Sequence, residues 1–243
     1  MRLSTDTLSG RSGNGRHSET GLLPTRQTDY QRPRQDLGEP GLADGSASDR
    51  ELTVQLRELL TSLAQGQAVH RTPQRIVVTG VHTETEASFL AMKLAMTCAG
   101  SGYRVLLVDA NFDRPMVHRN FGLSTRLGLS TLLLSSDAPH ALPQATPVPN
   151  LAAITIGPDC PNWSSLLTRE QLFHRLQPLA GSFDYILVDC GGLAPDLVGR
   201  VSAGADNVLI AVKQHVSSMR ELANIVETLR GEGVREPAIL MVE

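Results

Sequence analysis

Apolar positions along the chain fall into two alternating patterns. Unbroken apolar runs occupy residues 75–79 (RIVVT), 104–109 (RVLLVD), 151–156 (LAAITI), 184–189 (DYILVD), 207–212 (NVLIAV) and 237–242 (PAILMV). Between most of them, apolar residues recur every three or four positions, over 87–99, 128–134, 163–179, 195–203 and 217–230. Strands that are apolar throughout suit a sheet buried on both faces. Strands alternating with helices predict βαβ units, and so an α/β fold with a mostly parallel sheet covered by helices on both faces. Gly100, Gly102, Gly181 and Gly231 stand where three of these helices should stop. Residues 139–150 read as a Pro-rich connection.

A further helix precedes the first strand. Ser48-Asp49-Arg50-Glu51 is a capping-box sequence, and Leu52, Leu56, Leu59, Leu60 and Leu63 then keep helical spacing to about Gln65. Upstream, residues 1–48 are rich in Gly, Ser, Thr, Arg and Pro. Seven arginines balance seven acidic residues between Met1 and Arg50. Such a segment buries too little apolar surface to offset its ordering entropy. The expected organisation is therefore a disordered tail over 1–48 and one domain over 49–243.

Composition narrows the function classes. Lys and Arg total 22 against 25 Asp and Glu, a net charge of −3, which argues for neither nucleic acid nor an acidic membrane surface. Cys98, Cys160 and Cys190 lack metal-ligand spacing, and two adjoin apolar segments, as buried free thiols do. No apolar run approaches the roughly 18 residues of a membrane span, and no signal-type apolar region follows the first basic residue. The expectation is a cytoplasmic protein that reaches the inner face of a membrane only through a partner.

The candidate chemistry lies in residues 77–95, VVTGVHTETEASFLAMKLA. A strand, a short polar loop and a helix start form the frame of a phosphate-binding P-loop. Such a loop needs glycines so that backbone N–H groups can wrap the phosphates, then Lys, then Ser or Thr for magnesium. With Ser88 at that last position, Ala87 replaces the lysine, Glu86 replaces the preceding glycine, and Glu84 falls on another glycine-rich position after Thr83. A carboxylate about 4 Å from a phosphate charge opposes binding by roughly 4 kcal/mol. Each non-Gly residue in left-handed geometry costs about 1–2 kcal/mol. With the lysine also lost, most of the roughly 8 kcal/mol of a micromolar affinity is offset. The alternative is an ordinary strand–loop–helix. Downstream, Asp109 and Asp189 each close an apolar run, where α/β sheets gather ligands and where carboxylates of an NTPase organise magnesium and water.

These segments resemble one family, the bacterial tyrosine kinases (BY-kinases) of capsule and exopolysaccharide synthesis, in the MinD/ParA-like branch of P-loop NTPases. The similarity covers residues from about 51 to 242. VLLVDANFDRPMVHRNFGL is similar to the family's second Walker segment, with Asp109 and Asn111 in place of an Asp pair and Arg114, Pro115 and His118 retained. CPNWSSLLTREQL resembles its Pro-Asn-Pro-x-x-Leu-Leu segment, and FDYILVDCGG its Walker B strand, with Cys190-Gly191-Gly192 for Thr-Pro-Pro. The stretch ADNVLIAVKQHVSSMRELANIVETLR resembles the closing strand and helix. Glu51, Val54 and Arg57 occupy the family's oligomerisation pattern, whose first arginine is missing. The tyrosine-rich substrate tail is not matched: the tyrosines are Tyr30, Tyr103 and Tyr185.

The resemblance implies a catalytically degenerate, pseudo-ATPase scaffold or regulator of exopolysaccharide or capsule biosynthesis and export. No cofactor is expected, and Asn111 and Arg114 would be remnants of a nucleotide site. The implied partners are a membrane-anchored polysaccharide co-polymerase, and an active BY-kinase homologue or a second copy of this chain, with Glu51 and Arg57 at an interface. A second expectation is an active tyrosine autokinase or ATPase that binds Mg-ATP and Mg-ADP. In it Ser88, Asp109 and Asp189 hold magnesium, Asp109 and Asp189 are catalytic, and Tyr30 accepts phosphate. A third is a MinD/ParA-like positioning protein, although His82 stands where that group carries its signature lysine. Lys93, five residues beyond Ser88, is expected to point away from the loop.

Overall fold

The computed structural model describes residues 47–65, 73–81, 86–134, 139–167, 171–213, 217–234 and 237–242. Residues 1–46, and with them most of the expected tail and Tyr30, lie outside the described residues, as do His82, Thr83 and Glu84.

Helix α1 (Ala47–Gln65) ends where the leucine spacing ends. It starts one residue ahead of Ser48, so the expected capping box falls inside the first turn; the side chains of Ser48 and Asp49 lie outside the described positions. Leu56 and Leu60 are buried and Leu52, Leu59 and Leu63 pack beside them, so the leucine stripe is the face turned to the core. Then come β1 (Gln74–Gly80), α2 (Ala87–Gly100), β2 (Val105–Asp109), α3 (Val117–Phe121), α4 (Leu129–Leu134), β3 (Gln144–Ala145) and β4 (Leu151–Ile154). The second half runs α5 (Trp163–Leu166), α6 (Gln171–Leu176), β5 (Tyr185–Asp189), α7 (Pro195–Ser202), β6 (Asn207–Lys213), α8 (Met219–Gly231) and β7 (Ala238–Val242).

The strands form one sheet in the order β3-β4-β2-β5-β1-β6-β7. Its pairings are parallel except β3 with β4. Ile76, Val78, Leu107, Leu187 and Leu209 pack with α1 and α2 on one face. Val77, Leu106, Val108, Ile186, Val188 and Ile210 pack with α4, α6, α7 and α8 on the other. With both faces of each central strand covered, every position of β2 and β5 and the last five of β1 are buried, and the runs read as apolar throughout.

Three segments depart from the sequence reading. The single helix expected over 163–179 is broken: Leu167 leaves helical geometry at φ −80°, ψ 82°, and α6 gives way to a 3-10 segment, Gln177–Ser182, with Pro178 at its start. Proline has no N–H to continue an α-helix. Residues 117–121, read as loop, form the one-turn helix α3, ended by Gly122 at φ 64°. The Pro-rich connection contains β3, whose two residues are too few to show a period.

Register brings the chemistry together. In the β2–β5 pairing Asp109 lies opposite Asp189, and in the β1–β5 pairing Val78 lies opposite Asp189. From these carboxyl ends α2 leaves over one face and α7 over the other, which opens a crevice of the kind where α/β sheets bind ligands.

Candidate functional site

Three chain segments meet in the crevice: the start of α2, the loop after β2 and the loop after β5. They line a cavity of about 450 Å3 with Glu86, Ala87, Ser88, Phe89, Asn111, Arg114, Met116, Gly191 and Gly192.

Its floor is a closed hydrogen-bond network. The Ser88 hydroxyl donates to Asp189 Oδ1 at 2.9 Å and accepts from Asn111 Nδ2 at 3.0 Å. Asp189 Oδ1 also accepts from the Gly191 N–H at 2.9 Å. Asn111 Oδ1 accepts from the Arg114 N–H at 3.1 Å, so both ends of that amide are engaged. Both oxygens of Asp109 take backbone N–H groups, Oδ1 from Asn111 and Oδ2 from Val117, each at 3.2 Å. Asp109 thereby fastens the loop after β2 to its own strand end. Asp189 Oδ2 is buried without a partner.

Both aspartates are fully buried. Burial raises the Asp109 pKa well above the ordinary carboxylate range, and the neighbouring Asp189 charge raises it further. Burial likewise raises Asp189, against the Gly191 and Ser88 hydrogen bonds that favour its charged form. His118, half-buried on α3, has its pKa lowered, first by burial and then by the Arg119 charge.

Gly191 makes this packing possible. Its φ is +53°, and a Cβ on it would collide with the Asn111 side chain. Glycine at 191 therefore leaves the space that the Asn111 amide fills. At the cavity's edge, Glu86 precedes α2 in left-handed geometry, φ 54° and ψ 24°, and makes no side-chain cap. Its Oε1 pairs instead with Lys213 Nζ at 2.7 Å.

The fold family implies Mg-ATP, and the donor set can be tested for it. Magnesium takes carboxylate, phosphate and water oxygens in near-octahedral geometry. Here Ser88 Oγ is held by protein groups on both sides, and Asp109 is occupied by backbone donors. Asp189 Oδ2 is buried without a partner, and Ser88 Oγ, with one bond donated and one accepted, keeps a second lone pair. On the phosphate side, the described residues place a carboxylate, Glu86, at the head of α2 and Ala87 beside it.

Of the sequence candidates, Ser88, Asp109, Asn111 and Asp189 come together, with Glu86, Ala87 and Arg114 at the cavity wall. Glu51 and Arg57 stay on the exposed side of α1, where Arg57 borders a separate shallow hollow of about 430 Å3 with Val54, Glu58, Thr61 and Ser62. Lys93 is buried and lies over the Phe89 ring, with Nζ 5.5 Å from its centroid, one turn back towards the start of α2. It does not point away from the loop as expected, because helical side chains lean towards the N-terminus; it is not among the cavity's lining residues. Sequence reading missed Lys213 as a partner of Glu86. Its one signal is a cation closing an apolar run, which many strands show.

The homologues of this chain are named bacterial tyrosine-protein kinases. Tyrosine-protein kinase ptk of Acinetobacter johnsonii is 28% identical over 161 residues, 66% of this chain and 22% of that protein. The putative tyrosine-protein kinase CapB of Staphylococcus aureus is 29% identical over 114 residues, 47% of this chain and 50% of that one. The chain thus spans from about a fifth to half the length of these curated relatives. Among solved structures, the kinase domain of Escherichia coli tyrosine kinase ETK matches at TM-score 0.68 and 25% identity, over 78% of this chain and 74% of that one. The chimerical protein CapA2B2 matches at TM-score 0.72 over 82% and 88%, and at 22% identity it shares the fold. A plasmid partition protein of Borrelia burgdorferi and MinD of Pyrococcus horikoshii share it at TM-scores of 0.57 and 0.54. No protein-family model matches the chain.

Proposed function

We propose that this chain is a catalytically degenerate, BY-kinase-like protein that serves as a scaffold or regulator in exopolysaccharide or capsule biosynthesis and export. The observation that carries the reading is the head of α2, where Glu86 and Ala87 stand in place of a phosphate loop's glycine and lysine, Glu86 in left-handed geometry and paired with Lys213. The polysaccharide setting rests on the resemblance to BY-kinases. So do the proposed partners: a membrane-anchored polysaccharide co-polymerase, and an active BY-kinase homologue or a second copy of this chain. No helix among the described residues is long and apolar enough to cross a membrane, which fits a proposed cytoplasmic protein held at the inner membrane face through that partner.

One observation favours a second reading, an active ATP-dependent kinase of the same pathway with a non-standard loop. Asp189 Oδ2 is buried and unpartnered, as a carboxylate awaiting a cation would be. Incubation of the purified chain with labelled Mg-ATP separates the two. The proposal expects neither phosphate release nor phosphotyrosine. Turnover that is lost in Asp189→Asn would establish the second reading instead.

A further inference from the structure

We propose that Glu86 is an internal plug: its carboxylate, tethered by Lys213, keeps phosphate groups away from the head of α2. The inference deepens the pseudo-enzyme reading and rests on it.

The backbone argues first. Glu86 sits at φ 54°, ψ 24°, one of two non-glycine residues at positive φ among the described residues. The chain has therefore kept a glycine's geometry at the point where a phosphate-binding loop enters its helix, while carrying a residue that the geometry strains. Strain of this kind persists only where the surroundings hold it.

The side chain argues second. As the residue preceding α2, Glu86 makes no cap hydrogen bond to that helix. It pairs instead with Lys213, at the end of β6 beside β1 and outside the cavity lining. The side chains are 57% and 27% exposed, and an ion pair so open to water adds no more stability than the left-handed geometry removes. Stability alone does not account for the pair.

Its position does. Glu86 forms the cavity wall next to Ala87 and Ser88, the first residues of α2. A phosphate approaching the helix dipole there meets an ion pair with no net charge to attract it. The cation that could attract it is already neutralised, 2.7 Å from the same carboxylate. Removing the carboxylate releases Lys213 to attract the phosphate and lets the backbone relax.

The test is calorimetric titration of the full chain with inorganic pyrophosphate, which carries phosphate charge without a base. Glu86→Gly is expected to bind at least about tenfold more tightly than wild type. Glu86→Gln, which removes the charge but keeps the strain, should gain part of that. Adding Lys213→Ala to Glu86→Gly should erase the gain. Thermal melts serve as the folding control, because glycine accepts this φ and Glu86→Gly should melt no lower than wild type. A Glu86→Gly titration as flat as wild type overturns the plug and leaves the pseudo-enzyme reading standing. A gain that survives Lys213→Ala overturns the role given to Lys213. Micromolar binding of Mg-ATP by the wild-type chain overturns the pseudo-enzyme reading, and the plug with it.

Discussion

At the scale of single residues, the site is held by what glycine omits and what an amide supplies. Gly191 turns the loop after β5 at φ +53°, and the space where its Cβ would sit belongs to Asn111. Gly191→Ala should therefore destabilise the fold by about 2 kcal/mol or more, from left-handed strain plus the collision. Adding Asn111→Ala should recover part of that loss, since the collision disappears and the strain does not; chemical denaturation of both variants checks this. The paired aspartates give a pH signature. Their native pKa values are raised above the ordinary 3.8, so the folded state holds protons that the unfolded state has released. The stability they contribute is fully present below 3.8 and is lost as pH rises through the raised native values. Asp189→Asn keeps an acceptor for Gly191 and Ser88 but does not titrate, so its melting temperature should fall less over that range than wild type's.

At the scale of elements, α1 shows a helix divided between two tasks. Leu56 and Leu60 are 2% and 6% exposed, whereas Val54 is 53% exposed on the opposite side. Leu56→Ala should cost about 2–4 kcal/mol by denaturant unfolding. Val54→Asp should stay within about 0.5 kcal/mol, and any effect on self-association, read by sedimentation, would mark that side as an interface. Elements of this kind were legible in the sequence because burial on both faces writes itself as apolar runs, and a one-sided helix as a leucine stripe. Helix α3 and strand β3 were not, since five and two residues hold no full period. The break after Leu166 was hidden for another reason. Trp163, Leu166 and Leu167 keep helical spacing, as do Leu172, Phe173 and Leu176, and only the five-residue step from Leu167 to Leu172 marks the join.

At the scale of the whole molecule, the parallel order of β1, β5 and β2 is what brings Asp109 and Asp189 side by side at the head of α2. The sequence placed both aspartates at strand ends and put Glu86 and Ala87 in the loop. It could not show how those groups are satisfied, because the donors to Asp109 are backbone N–H groups and Asn111 acts through space left by Gly191. The fold shared with BY-kinase domains thus carries, in this chain, a crevice in which Ser88, Asn111 and Asp189 hydrogen-bond one another.

Calorimetric titration of the purified chain with Mg-ATP and Mg-ADP, carried to millimolar ligand at two temperatures, tests that account most directly. It predicts no binding heat and no thermal stabilisation by either nucleotide. Micromolar binding that is lost in Asp109→Ala would contradict it and make the crevice a working nucleotide site.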